Sequence, residues 1–441
     1  MSKTFQLLLN ISELESLGRA DGVLYRVEPL KFTTLGLKFA LLNEAEVLGA
    51  EIGQFTGKRA SSEIRSVEAQ IKVSCSGLVE LGPVTGDGHL DALVDSKSET
   101  EAGTKNSSQS TKLSDWSDPE LHYIHRSVKE YVVKEDVWNE ILAQTENENF
   151  EPYAALLRSL VMQAKKCPCR GEATSGEGDA WSLAIHSLRI ARILENERGT
   201  DQLDMINALE TALTTRLGLS WWGSHFGDSG ESPKWQSNFF TFPVRFGLWR
   251  YVHASLQVRS ILKPGRPLLH YLCTPQSSVD IHLLGADGRV AEALLQHKAD
   301  PNEKFGGFSA WQIAWDYSRK SPNSAITLLP VLEVFLKYGA DPHTYVEHKR
   351  RRVSTRRFSV LKVALDLRTT LRAVYEENGY ENTNAESTYV QTLCRIIDEL
   401  ERKGARIREW ESVGGVFVLQ NNRSWSARRR ALREQIKCVV L

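Results

Sequence analysis

The chain has 441 residues, 41% hydrophobic and 25% charged, an ordinary globular composition with room for about two to four domains and a sizeable core. Lysine plus arginine and aspartate plus glutamate each total 55, so bulk charge gives no strong nucleic-acid signal and no pull toward an anionic membrane. The opening Met1–Asn10 is too short in apolar length for a secretory signal and no stretch approaches a membrane span, so the expected setting is cytoplasmic.

In chain order, residues 1–60 read as helical, with Leu35, Leu37, Phe39, Ala40, Leu41 and Leu42 forming a core-facing segment after Pro29. Gly49 to Lys58 superficially suggests a phosphate loop, but Ile52 stands where the first glycine belongs and Arg59 replaces the hydroxyl that would bind magnesium. Apolar runs at Ile71–Leu81 and Leu121–Tyr131 flank residues 82–118, whose Gly, Ser, Thr, Asp and Lys content reads as a disordered insertion. Leu121 to His125 alternates as a strand does, and Ser127 with Glu130 has capping-box spacing, so a helix is expected from there to about Leu142. Strand, loop, strand and helix in that order suggest a winged-helix-like module with a small β element over 1–165.

A helical connector is expected over 166–238, with helices at Trp181–Ala191 and Leu203–Leu217 separated by glycine-rich segments. Trp221, Trp222, Trp235, Phe239, Phe240 and Phe242 form an aromatic cluster read as core packing. Six cysteines are too few for a disulfide framework, and the one close pair, Cys167 and Cys169, lacks two further ligands at metal-site spacing. No metal and no cofactor are expected.

The strongest signal lies beyond residue 239. Val290–Asn302 returns 41 residues later as Val331–His343: Leu294 matches Phe335, Leu295 matches Leu336, and Ala299-Asp300-Pro301 matches Ala340-Asp341-Pro342. In each copy the apolar residues share one helical face while Glu292 and Glu333 point away. Gly339 supplies a left-handed closing residue, whereas Lys298 holds that position in the first copy, so a weaker or differently shaped cap is expected there. Pro267-Leu268-Leu269-His270, Ser309-Ala310-Trp311-Gln312 and Ser359-Val360-Leu361-Lys362 look like helix-opening turns, and Ile396–Leu400 leads into Gly404-Ala405.

This arrangement resembles ankyrin repeats, with surplus residues at Ser318–Ser324 and His348–Arg357. The resemblance implies a mainly α protein in which residues 239–441 form an irregular ankyrin-like helical-hairpin solenoid. Residues 25–160 and 235–345 are in addition similar to the region that follows the nucleotide-binding domain in fungal NACHT-type signal-transducing ATPases, relatives of NOD-like receptors. That similarity rests on Ser74–Glu80, Ile124–Tyr131, Phe246–Val252 and Pro267–Leu269. It implies a truncated or split member of that family, lacking the ATPase, with a role in signalling. His125 matches the histidine that approaches bound ADP in the wider family, and an ordinary hydrogen-bonded strand-end histidine is the competing reading.

No nucleophile-and-base arrangement is recognisable, so the expected role is a non-enzymatic scaffold or regulatory module that binds a protein partner. Loop tips Glu303, Lys304 and Phe305, and His343, Thr344 and Tyr345, are the residues that stacking leaves for a partner. The run Lys349, Arg350, Arg351, Arg352, Arg356 and Arg357 is the one basic patch, read as a solvated insertion, a nuclear-import signal or a contact for an acidic partner. The alternative is a nucleotide-responsive regulatory subunit in which His125 meets ADP held by a separate ATPase chain.

Overall fold

The structure, a computed structural model, describes residues 1–20, 30–53, 55, 57–82, 118–167, 176–218, 238–258, 265–273, 286–349, 355–377, 384–413 and 416–419. The expected insertion over 82–118 falls outside them except at its two ends. The protein is mainly helical and divides into two compact units, Met1–Gly230 and Glu231–Leu441. Among the described residues no helix is long and apolar enough to cross a membrane.

In the first unit the helices are α1 (Ser2–Ala20), α2 (Thr34–Ala40), α3 (Glu44–Gly49) and α4 (Gly57–Ser74), then strands β1 (Val79–Gly82) and β2 (Glu120–Tyr123). After them come α5 (Arg126–Val132), α6 (Glu135–Ala143), α7 (Pro152–Lys166), α8 (Gly176–Ile193) and α9 (Leu203–Leu217). The centre is α7, which packs against α1, α2, α8 and α9. Its sequence suits that place: Pro152 starts the helix and Glu151 caps it, while Ala155, Leu156, Leu157, Leu160, Val161 and Ala164 are all buried. Lys165 ends it, donating from Nζ to the carbonyls of Val47, Leu48 and Ala50 at 2.8, 3.0 and 3.0 Å. That ammonium satisfies the orphan carbonyls at the C-terminus of α3, and its burial lowers its pKa.

The small β element is an antiparallel ladder with Val79 opposite Tyr123 and Gly82 opposite Glu120. Two details differ from the sequence expectation. The run beginning at Ile71 is helical through Ser74, because Ala60, Ile64, Val67 and Ile71 form one buried stripe on α4. The helix expected from Ser127 to Leu142 starts at Arg126 and is two helices: His125, not Ser127, is its N-cap, and Lys134 adopts extended geometry between the halves. The consecutive β-branched Val132 and Val133 sit where it breaks, a local composition that propagates a helix poorly.

In the second unit the helices are α10 (Thr241–Phe246), α11 (Trp249–Leu256), α12 (Leu268–Cys273), α13 (Gly288–Gln296), α14 (Ala310–Ser318), α15 (Pro322–Lys337), α16 (Val360–Glu377) and α17 (Asn384–Arg402). Successive helices pair, and the pairs stack in two rows: α10, α12, α14 and α16 in one, α11, α13, α15 and α17 in the other. Trp311 and Trp315 are fully buried in the first row, edge to face at 5.5 Å, with Trp311 also reaching Phe335 of the second row. Within the aromatic cluster, Phe239, Phe240 and Phe242 are buried, while Trp221, Trp222 and Trp235 lie outside the described residues.

The second row shares one closing motif. Ala299, Ala340 and Ala405 donate their amides to the carbonyls of Leu294, Phe335 and Leu400 at 3.1, 2.9 and 2.9 Å, each after a left-handed residue: Lys298 (φ 72°), Gly339 (φ 89°) and Gly404 (φ 83°). The cap at Lys298 therefore does not differ in shape from the glycine caps. The neighbouring bonds over-determine the turn, so the lysine backbone adopts the left-handed conformation despite its β-carbon.

Between the pairs run β-hairpins. Strands β3 (Lys304–Phe305) and β4 (Phe308–Ser309) join α13 to α14, and β5 (Tyr345–Lys349) with β6 (Thr355–Ser359) joins α15 to α16. Strands β7 (Glu409–Val413) and β8 (Val416–Leu419) extend the second hairpin into a four-stranded antiparallel sheet ordered β5-β6-β7-β8. The surplus at His348–Arg357 is thus the end of one strand, a turn and the start of the next.

Candidate functional site

The two hairpins carry every loop-tip residue singled out from the sequence. At the first, Glu303 and Lys304 are exposed, and Phe305 is half-buried because its ring stands edge-on to His270 at 6.3 Å. The Nε2 of His270 donates to the carbonyl of Glu303 at 3.1 Å, tying α12 to the hairpin of the following helix pair. Burial, reinforced by the nearby Arg266 cation, lowers the His270 pKa to about 4, so the ring is neutral near pH 7.

At the second hairpin, the Asp341 carboxylate accepts from the His343 amide at 2.9 Å and from the Thr344 hydroxyl at 3.2 Å. His343 is exposed and Thr344 half-buried. Tyr345 also turns back on its own chain: its ring meets Trp410 at 6.2 Å and the Arg357 guanidinium lies 4.4 Å from its centroid. Both aromatic tips therefore combine partial exposure with an internal contact.

The basic run is divided by the sheet. Arg356 pairs with Glu409 at 3.6 Å and Arg357 with Glu347 at 2.6 Å, both across neighbouring strands. Lys349 ends β5, and Arg350, Arg351 and Arg352 lie outside the described residues. A freely solvated insertion does not describe Arg356 and Arg357, because strand pairing sets each opposite a carboxylate.

Beside the second hairpin is a cavity of about 490 Å³ bounded by Phe308, by α14 through Ile313, Tyr317 and Lys320, and by β5. The residues from α14 were not singled out from the sequence. Their signal was available: Ile313, Tyr317 and Lys320 recur at i, i+4 and i+7, on the side of the helix away from the buried Trp311, Ala314 and Trp315.

His125, in the first unit, is exposed and its Nδ1 accepts from the Ser127 amide at 3.1 Å. Its role there is a helix cap. Of the paired cysteines, Cys167 is a partly buried free thiol and Cys169 lies outside the described residues. Among the described residues no group of three or more His, Cys, Asp or Glu side chains could hold a metal ion.

Residues 1–175 match a family described as Domain of unknown function (DUF7791). No curated protein and no solved structure matches the chain.

Proposed function

We propose that the protein is a non-enzymatic protein-interaction module whose second unit is an irregular ankyrin-like solenoid. The observation carrying this reading is the repeated closing motif at Ala299, Ala340 and Ala405, on helices that stack in one row with a second row packed against it. Stacked pairs consume their apolar faces on one another: Leu294, Leu295, Phe335 and Leu336 are buried. The hairpins that join the pairs remain for recognition, with Glu303, Lys304 and His343 exposed and Phe305, Thr344 and Tyr345 beside them. The first unit, with its β1–β2 ladder followed by α5, is read as a winged-helix-like module related to those of fungal NACHT-type signalling proteins, and the whole as a scaffold or regulatory subunit in such signalling. Its setting is the cytoplasm.

The test is affinity capture of partners by the full chain, repeated with Phe305→Ala and Tyr345→Ala combined in a protein of unchanged melting temperature. Partners are expected to bind the wild type at least about tenfold more tightly than the double variant, as for truncated aromatic anchors. Undiminished binding removes the hairpins from the interface, and a micromolar dissociation constant for ATP in calorimetry with the chain alone replaces this reading with a nucleotide-responsive one.

A further inference from the structure

Strand β5 is an edge of its sheet, and its register decides which backbone groups that edge offers. Tyr345 lies opposite Ser359, yet the Ser359 amide donates to Arg408 on the other side, at 3.0 Å. Tyr345 and Ser359 therefore form a non-hydrogen-bonded pair, and in an antiparallel ladder the amides and carbonyls of Tyr345 and Glu347 both turn away from β6. Two side chains from α14 meet the carbonyls: Gln312 Nε2 donates to Tyr345 at 3.1 Å, and Arg319 Nη2 to Glu347 at 3.3 Å. The amides of the same residues face the cavity that lies between β5 and α14.

The walls of that cavity have a definite character. Phe308 is 43% exposed and Ile313 and Tyr317 are half-buried, so the floor takes an apolar side chain. At the rim, Lys320 is half exposed, its Nζ 3.4 Å from the Tyr317 ring centroid and 3.5 Å from Asp316, a carboxylate that also holds Arg319 at 3.0 Å. Two cations thus share one acid. The wider segment agrees: residues 301–360 contain ten lysines and arginines against five aspartates and glutamates, in a chain whose formal net charge is zero. The local field favours an anionic partner.

We infer that this groove docks an extended, acidic segment of a partner protein, which adds to the β5 edge, inserts one large apolar side chain against Phe308, Ile313 and Tyr317, and sets a carboxylate on Lys320. Strand addition explains why an edge beside an open cavity keeps two amides facing inward, and the cation surplus supplies selectivity for acidic sequences. The inference rests on the protein-binding reading and gives it a site and a partner chemistry.

The test uses the full chain and a phage-displayed library of random linear decapeptides. Enriched peptides are expected to carry Asp or Glu within two positions of a large apolar residue. As labelled synthetic peptides they should bind in fluorescence polarisation about tenfold more weakly to Lys320→Glu and to Phe308→Ala, with affinity falling as salt rises. Both substitutions are at exposed side chains, and equal melting temperatures separate lost binding from lost folding. No enrichment, enrichment of basic or uncharged sequences, or full affinity in both variants overturns the groove. Captured partners that depend on Phe305 but not on Lys320 or Phe308 would overturn the groove alone and keep the protein-binding reading.

Discussion

Asn302 and Asp341 join two successive helix caps through one side chain. The Oδ1 of Asn302 accepts from the Asp341 amide at 2.8 Å while its Nδ2 donates to the Gly339 carbonyl at 2.9 Å, so the end of the first sequence copy clasps the cap of the second. Only an amide side chain offers a donor and an acceptor in this geometry. Asn302→Ala is expected to cost about 1–2 kcal/mol, the range for two partly exposed hydrogen bonds, and Asn302→Asp should cost no less near pH 7, since it sets a carboxylate against the Gly339 carbonyl. Urea midpoints at unchanged slope measure both, and a midpoint unmoved by Asn302→Ala would show that the clasp contributes nothing.

The three left-handed caps allow a paired comparison. A β-carbon built on Gly339 meets nothing within 4 Å, so Gly339→Ala isolates the conformational cost of a left-handed L-residue, about 1–2 kcal/mol. Lys298 already bears that cost at the equivalent position. Lys298→Gly relieves it but loosens the unfolded chain, leaving an expected net gain of a few tenths to about 1 kcal/mol. Opposite shifts in thermal midpoint check the pair, and destabilisation by both would mean that the lysine side chain holds its cap in some other way.

These caps were legible because helix period, closing residue and opening turn are all local in sequence. The helix at Leu203–Leu217 has the bounds read from its periodicity, and the left-handed Gly339 lies where the pattern put it. The four-stranded sheet was not legible. Its ladder sets Arg357 opposite Trp410, a pairing of distant segments that no local period encodes, and so the arginines read as solvated are strand residues facing Glu347 and Glu409. The groove beside α14 went unread for a related reason: buried Trp311 and Trp315 dominate that helix, and the half-exposed stripe of Ile313, Tyr317 and Lys320 gains meaning only when β5 lies across from it.

The helix register makes a sharper claim about α15. Leu336 is 2% exposed, and Leu336→Ala should cost about 2–5 kcal/mol through lost transfer energy and the cavity left behind. Glu333 reaches Arg395 of α17 at 2.8 Å, but both side chains are well exposed, 41% and 58%. Such a pair is screened by solvent, so Glu333→Ala should cost less than about 0.5 kcal/mol. Equal midpoint shifts in urea for the two variants would refute the assignment of inward and outward faces.

The last expectation concerns pH and follows from His270. In the folded chain its pKa is about 4 against an ordinary 6.5, because the ring is buried, and the Arg266 cation beside it further opposes a second positive charge. Between those values the unfolded chain binds the extra proton and the folded chain does not, so unfolding stability rises with pH across the window. The contribution of the neutral ring is therefore complete above about pH 6.5 and is lost progressively toward pH 4, by up to about 3 kcal/mol for this single group. Asp118 works in the opposite sense in the first unit. Burial raises its carboxyl to about 6 from 3.8, so its contribution is greatest at acid pH and fades as pH climbs through 6. Urea midpoints taken from pH 7.5 to 4.5 should show the second unit weakening on acidification, with the slope flattened in His270→Gln, whose amide can still donate to the Glu303 carbonyl but takes up no proton. If the wild type and His270→Gln share the same slope, His270 is not the group that couples this unit to pH.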